Sequence, residues 1–200
     1  MTWRRVRVPS SITLRELHGM IQAAMGWEGL HLYQFLLRAG HYGSADLGAS
    51  SPDVSLAALR MRQGARFVYE YDLNIPWRHN VRIEDLMIPE VGASYPVCVT
   101  GHGPCPPEDC ADPAAFMSGR VRAVSWEALE DLVTMAEILE QVVIEHRADL
   151  LDDEDTRWRL EQAVDRTRAR ERAKGTAFSR RHINERLGQG EYRELMHQRY

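Results

Sequence analysis

The chain has 200 residues, with 25 basic against 29 acidic side chains and a formal net charge of −4. That balance excludes a protein whose affinity for nucleic acid comes from bulk positive charge, although it permits a local basic patch. No run approaches the roughly 18 apolar residues that cross a membrane, and the N-terminal residues lack the apolar segment of a secretory signal. Three cysteines cannot all pair within one chain, so a cytoplasmic protein with reduced thiols is the simplest interpretation.

The first part of the chain predicts a strand, a helix and a second strand. Residues 3–8 alternate between two faces, as a strand does. Thr13 and Glu16 have the spacing of a capping box, in which each side chain satisfies a backbone N–H of the first helical turn. Gly26 is a natural stop for that helix. Residues 31–37 are apolar on both faces, which favours an interior strand.

The middle of the chain predicts a loop followed by strands. Residues 39–53 are rich in Gly, Ser and Asp, which indicates a surface loop. Residues 66–72 carry the strongest strand pattern, with aromatic side chains at every second position. Residues 79–84 alternate in the same way and predict a hairpin partner. A further strand is predicted at residues 95–100, which leads into the cysteine-rich segment.

The remainder of the chain is predicted to be helical. Ser125 is suited to cap a long helix, and a second long helix ends at Gly175. Short helices are predicted at residues 179–187 and 192–200. We therefore expect a core domain, residues 1–118, and a helical extension, residues 119–200, that packs on the core. The first half of this extension is predicted to be an antiparallel helix pair.

Each long helix has apolar residues at helical spacing. In the first they are Leu129, Leu132, Val133, Ala136, Leu139 and Val143. In the second, the predicted buried side consists of Leu160, Ala163, Val164 and Thr167, and the predicted polar side carries Arg166, Arg168, Arg170 and Arg172.

Several motifs occur in an order that resembles one protein family. They are WRRVRVP, TLRELHGMIQAAMGWEGLHLYQF, FVYEYD, Trp77-x-His79, IED and YPVCVTGHGPCPPEDC, and they span about residues 2–112. The chain is similar to the open-reading-frame-three-like family named from a Ri plasmid, which includes TnpR-like passenger proteins of insertion sequences. The resemblance implies an α+β fold in which a small, mainly antiparallel sheet packs against the N-terminal helix. It implies little about activity.

The chain departs from the family pattern in three places. Family members usually have an extra strand before the WRR segment. Residues 73–77 replace a Gly-Asp-x-Trp pattern, and residues 111–113 replace a glycine pair after the PPED motif. These departures put in doubt a site that depends on those residues. The chain also lacks the nucleophile and arginine constellation of a serine recombinase, which the TnpR label would suggest.

The first site hypothesis is a zinc centre. Cys98, Cys105 and Cys110, with His102 or His79, would provide three sulfur ligands and one nitrogen. The spacing of these cysteines matches no standard zinc module. The alternative is three ordinary reduced cysteines in and around a proline-bounded loop.

The second hypothesis is an acidic catalytic site. Asp72, Glu84, Glu108 and Asp109 could converge with His79 to bind a metal ion or to share general acid and base roles. This arrangement would make the protein a metal-dependent enzyme. The alternative is that the first two acids are edge charges and that the last two cap a turn after the paired prolines.

The third hypothesis is a binding surface. Arg4 and Arg5 with nearby tryptophans could hold nucleic acid, and Trp77 and Pro107 could form the rim of a cleft. The alternative is that tryptophans fill the core and that the arginines line a solvated strand edge. We favour a binding module: an accessory protein of a plasmid or mobile element that acts through a protein or nucleic-acid partner. The helical extension could also form a homo-oligomer.

Overall fold

The computed structural model describes residues 1–38, 40–108, 110, 114, 116–118 and 125–197. The chain forms two compact units, one made of Met1–Glu108 with Thr176–Tyr200 and the other of Asp109–Gly175. In chain order the elements are β1 (Trp3–Arg7), α1 (Leu14–Met25), β2 (Tyr33–Leu37), β3 (Gly40–Gly43), β4 (Arg66–Tyr71), β5 (Trp77–Arg82), β6 (Val97–His102), α2 (Trp126–Leu139), α3 (Glu154–Lys174), α4 (Arg180–Gly188) and α5 (Tyr192–Leu195). The α+β prediction is confirmed.

Helix α1 begins and ends where its sequence predicts. The Thr13 side chain accepts a hydrogen bond from the Glu16 backbone N–H, and the Glu16 carboxylate accepts one from the Thr13 N–H, which forms the capping box. Gly26 occupies the C-cap with a φ of 79°. Because most of α1 is buried, this helix forms the centre of the first unit.

Two antiparallel sheets lie in the first unit. The larger sheet has the strand order β3-β2-β4-β5, and the smaller one pairs β1 with β6. The alternation predicted for residues 66–72 is observed, since Phe67, Tyr69 and Tyr71 are buried while Arg66 is exposed. The inner face of the larger sheet therefore contributes an aromatic layer to the core.

The loop prediction is wrong for residues 40–43, which form β3. Gln34 of β2 lies opposite Gly43. A Cβ atom at Gly43 would lie only 2.3 Å from the Tyr33 carbonyl oxygen, so the strand requires glycine here. Gly43, one of the glycines that indicated a loop, instead permits two backbones to approach closely.

The C-terminal helices belong with the first unit, whereas the predicted division placed all of residues 119–200 in the extension. The side-chain amide of Asn184 on α4 forms two hydrogen bonds with the backbone of Cys98 on β6. Its Oδ1 accepts from the Cys98 N–H at 2.7 Å, and its Nδ2 donates to the Cys98 carbonyl oxygen at 3.0 Å. Arg186 donates to the carbonyl oxygens of Ala23 and Trp27 at 3.0 and 3.2 Å. These contacts join residues far apart in sequence, so no local pattern indicates them.

The second unit contains the helices α2 and α3. Arg166 and Arg170 of α3 both form ion pairs with Asp131 of α2, whose side chain is only 6 % exposed. Ile138 of α2 and Ala163 of α3 are also buried. The apolar residues recognised in the sequence of α2 lie instead on its exposed side. Among the described helices, none combines the length and apolar character needed to cross a bilayer.

Candidate functional site

Trp27 is the centre of an aromatic cluster beside the larger sheet. The centroid of its ring lies 5.1 Å from that of Tyr71, 5.8 Å from that of Trp77 and 5.4 Å from that of His79. The register of β4 and β5 pairs Tyr71 with Trp77, so the two strands present these rings on one face. The predicted candidates Trp77 and His79 are therefore close together and share Trp27 as a neighbour.

Glu108 binds the loop that follows α1. Its Oε2 accepts a hydrogen bond from the Glu28 backbone N–H at 2.6 Å, and its Oε1 accepts one from the Leu30 N–H at 3.1 Å. The Tyr71 hydroxyl donates to the same Oε1. Burial and the adjacent carboxylate raise the pKa of Tyr71, so the phenol keeps the proton that it donates. Both carboxylate oxygens of Glu108 are therefore engaged in holding the loop.

The two prolines before Glu108 complete this attachment. Pro106 is buried, and its carbonyl accepts a hydrogen bond from Trp27 Nε1 at 2.9 Å. Pro107 is half-buried. We expected Glu108 to cap a following turn; it instead accepts from backbone N–H groups about 80 residues earlier in the chain. The Pro-Pro-Glu segment thus fixes the loop after α1 against the aromatic cluster.

We expect Glu108→Gln to release this loop. The amide group has one acceptor oxygen and places an N–H₂ where backbone donors point, so one of these solvent-accessible hydrogen bonds is lost at a cost of about 0.5–1.5 kcal/mol. Hydrogen exchange of the Glu28 and Leu30 amides should become faster. Glu90→Gln is the matched control, because that carboxylate pairs with Arg7 and its side chain is 61 % exposed. Unchanged protection of both amides in Glu108→Gln would contradict the assigned contacts.

His79 presents a neutral imidazole to the cluster. Burial lowers its pKa to about 4, so the ring is unprotonated at neutral pH. Nδ1 lies 3.1 Å from the Trp77 carbonyl oxygen and must carry the proton that this contact requires, which leaves Nε2 as the acceptor. A neutral imidazole in this tautomer has the form of a general base. In the part of the chain that the structure describes, no carboxylate is hydrogen-bonded to it.

The other predicted acids lie in different surroundings. Asp72 adopts a φ of 56° and accepts a hydrogen bond from the Asn74 N–H at 3.3 Å within its own turn. Glu84 accepts from Arg5 at 2.5 and 3.2 Å. Asp109 lies outside the described residues. Within the described ranges, no group of three or more His, Cys, Asp or Glu side chains is arranged to hold a metal ion. A catalytic role for this set therefore stays a prediction.

The proposed zinc ligands occupy separate environments. Cys98 and Cys105 are buried, Cys110 is half-buried, and His102 is exposed. The Sγ of Cys105 accepts a hydrogen bond from Arg4 Nη2 at 2.7 Å. Burial raises the pKa of both buried cysteines, which favours neutral thiols, whereas zinc binds thiolates. The geometry of the described residues gives the zinc hypothesis no support.

Arg4 is a structural centre of the first unit. Its guanidinium donates to the carbonyl oxygens of Trp3, Ala24, His102 and Gly103 and to the Sγ of Cys105. Its neighbour Arg5 forms the ion pair with Glu84. The two arginines that were candidates for nucleic-acid binding are therefore bound to acceptors of the protein itself.

A family model described as plasmid pRiA4b ORF-3-like protein matches residues 1–141. The chain belongs to this plasmid pRiA4b ORF-3-like family. The uncharacterized protein y4hQ of Sinorhizobium fredii is 41 % identical over 119 residues, which cover 56 % of this chain and 61 % of y4hQ. The crystal structure of MM3350, a protein of unknown function from Methanosarcina mazei Go1, has a TM-score of 0.55 and 28 % identity, and the match covers 63 % of this chain and 76 % of that one.

Membership of the pRiA4b ORF-3-like family confirms the resemblance that the motifs indicated. The match extends further along the chain than those motifs, to residue 141. Of the departures from the family pattern, residues 73–77 form the turn between β4 and β5 and the first residue of β5. Residues 111–113 lie outside the described part of the chain. The TnpR-like label is not part of the family description and stays a prediction.

The sequence did not indicate the polar cluster inside the core of this family member. His18 is fully buried, stacks on Tyr33 at 3.6 Å between ring centroids, and its Nδ1 lies 2.7 Å from the Tyr69 hydroxyl. Gln22 Nε2 donates to the same hydroxyl at 2.8 Å. The spacing of His18 and Gln22, one helical turn apart on α1, is the sequence signal that could have placed both on one face.

Proposed function

We propose that this chain is a protein-binding accessory module that contacts its partner through the exposed face of α2. This face, the α2 stripe, consists of the apolar residues that recur along the helix and continue past its end: Leu129, Leu132, Val133, Ala136, Leu139 and Val143. Leu132 and Val133 are each 53 % exposed, and Leu139 is 63 % exposed. A contiguous apolar surface of this kind is characteristic of interaction sites. The exposure of the α2 stripe is the observation that carries the proposal.

The charges around the α2 stripe define the chemistry of the partner. Residues 125–145 contain no Lys, Arg or His. Their exposed acids are Glu127, Glu130, Glu137, Glu140 and Glu145, whereas Asp131 is buried and paired with Arg166 and Arg170. Complementary charge guides association and selects among partners. We therefore infer a partner with an apolar surface that is bordered by basic side chains.

A second copy of the chain fits the α2 stripe less well. Pairing of two α2 helices would bring together two segments that contain acids and no bases. Like charges across an interface oppose association. Charge therefore favours a different protein over the homo-oligomer predicted for the helical extension. The plasmid-derived name of the family supports the accessory role.

Site-specific photo-crosslinking tests this proposal in cells that express the chain. A benzophenone amino acid at position 132 should form a covalent adduct with a partner protein, which mass spectrometry identifies. The same amino acid at position 159, an exposed site on α3, is the matched control and should give no such adduct. The purified partner should then bind the double variant Leu132→Asp, Leu139→Asp at least tenfold more weakly, which corresponds to about 1.4 kcal/mol.

A surface variant controls for changes unrelated to the α2 stripe. Trp158 lies on α3 and is 62 % exposed, so Trp158→Ala should bind the partner as the native chain does. Absence of an adduct at position 132 would refute the proposal. An adduct with a second copy of the chain, or partner binding that the double variant leaves unchanged, would also refute it.

A further inference from the structure

The outer face of the larger sheet carries a row of arginines. Arg66 of β4 lies directly opposite Arg82 of β5. On the other side of β4, Leu36 of β2 lies opposite Val68. Arg38, two residues beyond Leu36, therefore continues the row beside Arg66, because side chains two apart on a strand share a face. All three arginines, which we call the arginine row, are exposed.

The arginine row lacks the counter-charges found elsewhere on this face. Four residues along β4 from Arg66, Glu70 forms an ion pair with Arg78 of β5 at 3.0 Å. Within the described residues, no hydrogen bond or ion pair joins an acceptor to a side chain of the arginine row. The positive charge of Arg82 interacts electrostatically with Glu84, but the Glu84 carboxylate is hydrogen-bonded to Arg5. Since like charges directly opposite destabilise a sheet, the row is a surface on which an anion would be stabilising.

We propose that the arginine row binds the phosphate backbone of duplex nucleic acid. A duplex carries about one negative charge per 1.7 Å of its axis, which is a dense and regular array of phosphates. Binding of single strands normally uses aromatic rings on which bases stack. The Phe, Tyr and Trp rings of this sheet lie on the inner face, where Tyr33, Phe35, Phe67, Tyr69, Tyr71 and Trp77 are all buried. The outer face carries the smaller ring of His41, opposite Leu36, and therefore offers charge with little surface for stacking.

Binding of this kind is independent of base sequence and strongly dependent on salt. Guanidinium groups form two parallel hydrogen bonds with phosphate, so each arginine of the row can engage one phosphate. For three phosphates, the logarithm of the binding constant should fall against the logarithm of salt concentration with a slope of about −2.7. The site lies in the first unit and is separate in sequence from the α2 stripe, so its failure would not affect the proposed function.

Fluorescence anisotropy with a labelled 20-base-pair duplex of random sequence tests the inference between about 20 and 200 mM salt. We expect Arg66→Ala and Arg82→Ala each to make the slope shallower by about 0.9 and the double variant by about 1.8. Arg7→Ala removes the same charge from an arginine that is already paired with Glu90, so it should leave the slope unchanged. Arg66→Lys should retain the slope, because lysine keeps the charge. An oligo-dT strand should bind no more tightly than the duplex.

Thermal unfolding supplies a second readout that does not need the ligand. Removal of one member of an opposed cationic pair should relieve repulsion, so Arg82→Ala should unfold at a temperature no lower than the native chain. The variant thus reports on binding without loss of the fold. Absence of duplex binding at low salt would overturn the inference. So would a salt dependence of the binding constant that is the same in the Arg66 and Arg82 variants as in Arg7→Ala. A third contradicting result is tighter binding of poly-glutamate than of the duplex. The last result would assign the row to an acidic protein surface.

Discussion

Trp27→Ala is expected to lower the free energy of unfolding by about 3–5 kcal/mol, the range for truncating a large aromatic residue in a core. Trp27 is only 1 % exposed and contacts three other rings, so the cavity has little freedom to collapse. The variant also leaves the Pro106 carbonyl without its donor. A loss of this size approaches the whole stability of many domains.

Urea unfolding followed by circular dichroism measures this loss without relying on tryptophan fluorescence. Trp126→Ala is the matched control, since Trp126 is 82 % exposed and its truncation should change stability by less than about 0.5 kcal/mol. Trp27→Phe separates packing from hydrogen bonding. It keeps most of the apolar area and should lose only about 1–3 kcal/mol with the indole donor. Equal losses in Trp27→Ala and Trp126→Ala would contradict the central position of Trp27.

The parts of the fold that were predictable from sequence depend on residues close together in the chain. The capping box joins Thr13 to Glu16, and the alternation of β4 follows from one short run of side chains. Both patterns have a period that the backbone itself imposes. The loop prediction for residues 40–43 was wrong because glycine permits both a turn and a close approach of backbones. The pattern alone does not distinguish these two uses.

The candidate site depends on contacts that join distant parts of the chain. Trp77 and His79 share an inner strand face, which alternation indicates. The partners of Glu108 lie about 80 residues earlier, and nothing in the Pro-Pro-Glu-Asp segment identifies them. Arg4 looked like a surface cation because its pattern was that of an exposed strand edge. Apart from Trp3, its acceptors are Ala24 of α1, His102 at the end of β6, and Gly103 and Cys105 just after that strand.

The same limit applies to α2. Its apolar spacing indicated a helix face that must be covered, and the structure places Asp131 and Ile138 on the side next to α3. There Asp131 forms ion pairs with two arginines. A pattern based on hydrophobicity would assign all three of these charged side chains to solvent. Amphipathic spacing therefore identifies the α2 stripe as an apolar face. It does not indicate whether that face is covered by the chain itself or by another molecule.

Acidification is expected to unfold the first unit through two histidines that the fold keeps neutral. Burial lowers the pKa of His18 to about 3 and that of His79 to about 4, from an ordinary value of 6.5. Between about pH 6.5 and pH 4 the unfolded chain therefore binds more protons than the folded one. The free energy of unfolding should be fully retained above pH 6.5 and fall as the pH is lowered, by up to about 2.7 kcal/mol per pH unit for two protons.

His79→Gln should reduce this pH dependence by about half, to roughly 1.4 kcal/mol per pH unit, because only His18 then takes up a proton on unfolding. Urea unfolding in steps from pH 7.5 to pH 4.5 gives the slope. Asp53→Asn is the control, since Arg15 and Ser51 hold the pKa of Asp53 at about 2 and its contribution is lost only below the measured range. An unchanged slope in His79→Gln would mean that its imidazole is protonated within the folded core. The ring would then stand beside Trp27 as a cation, and the assignment of Nε2 as a proton acceptor would fall with it.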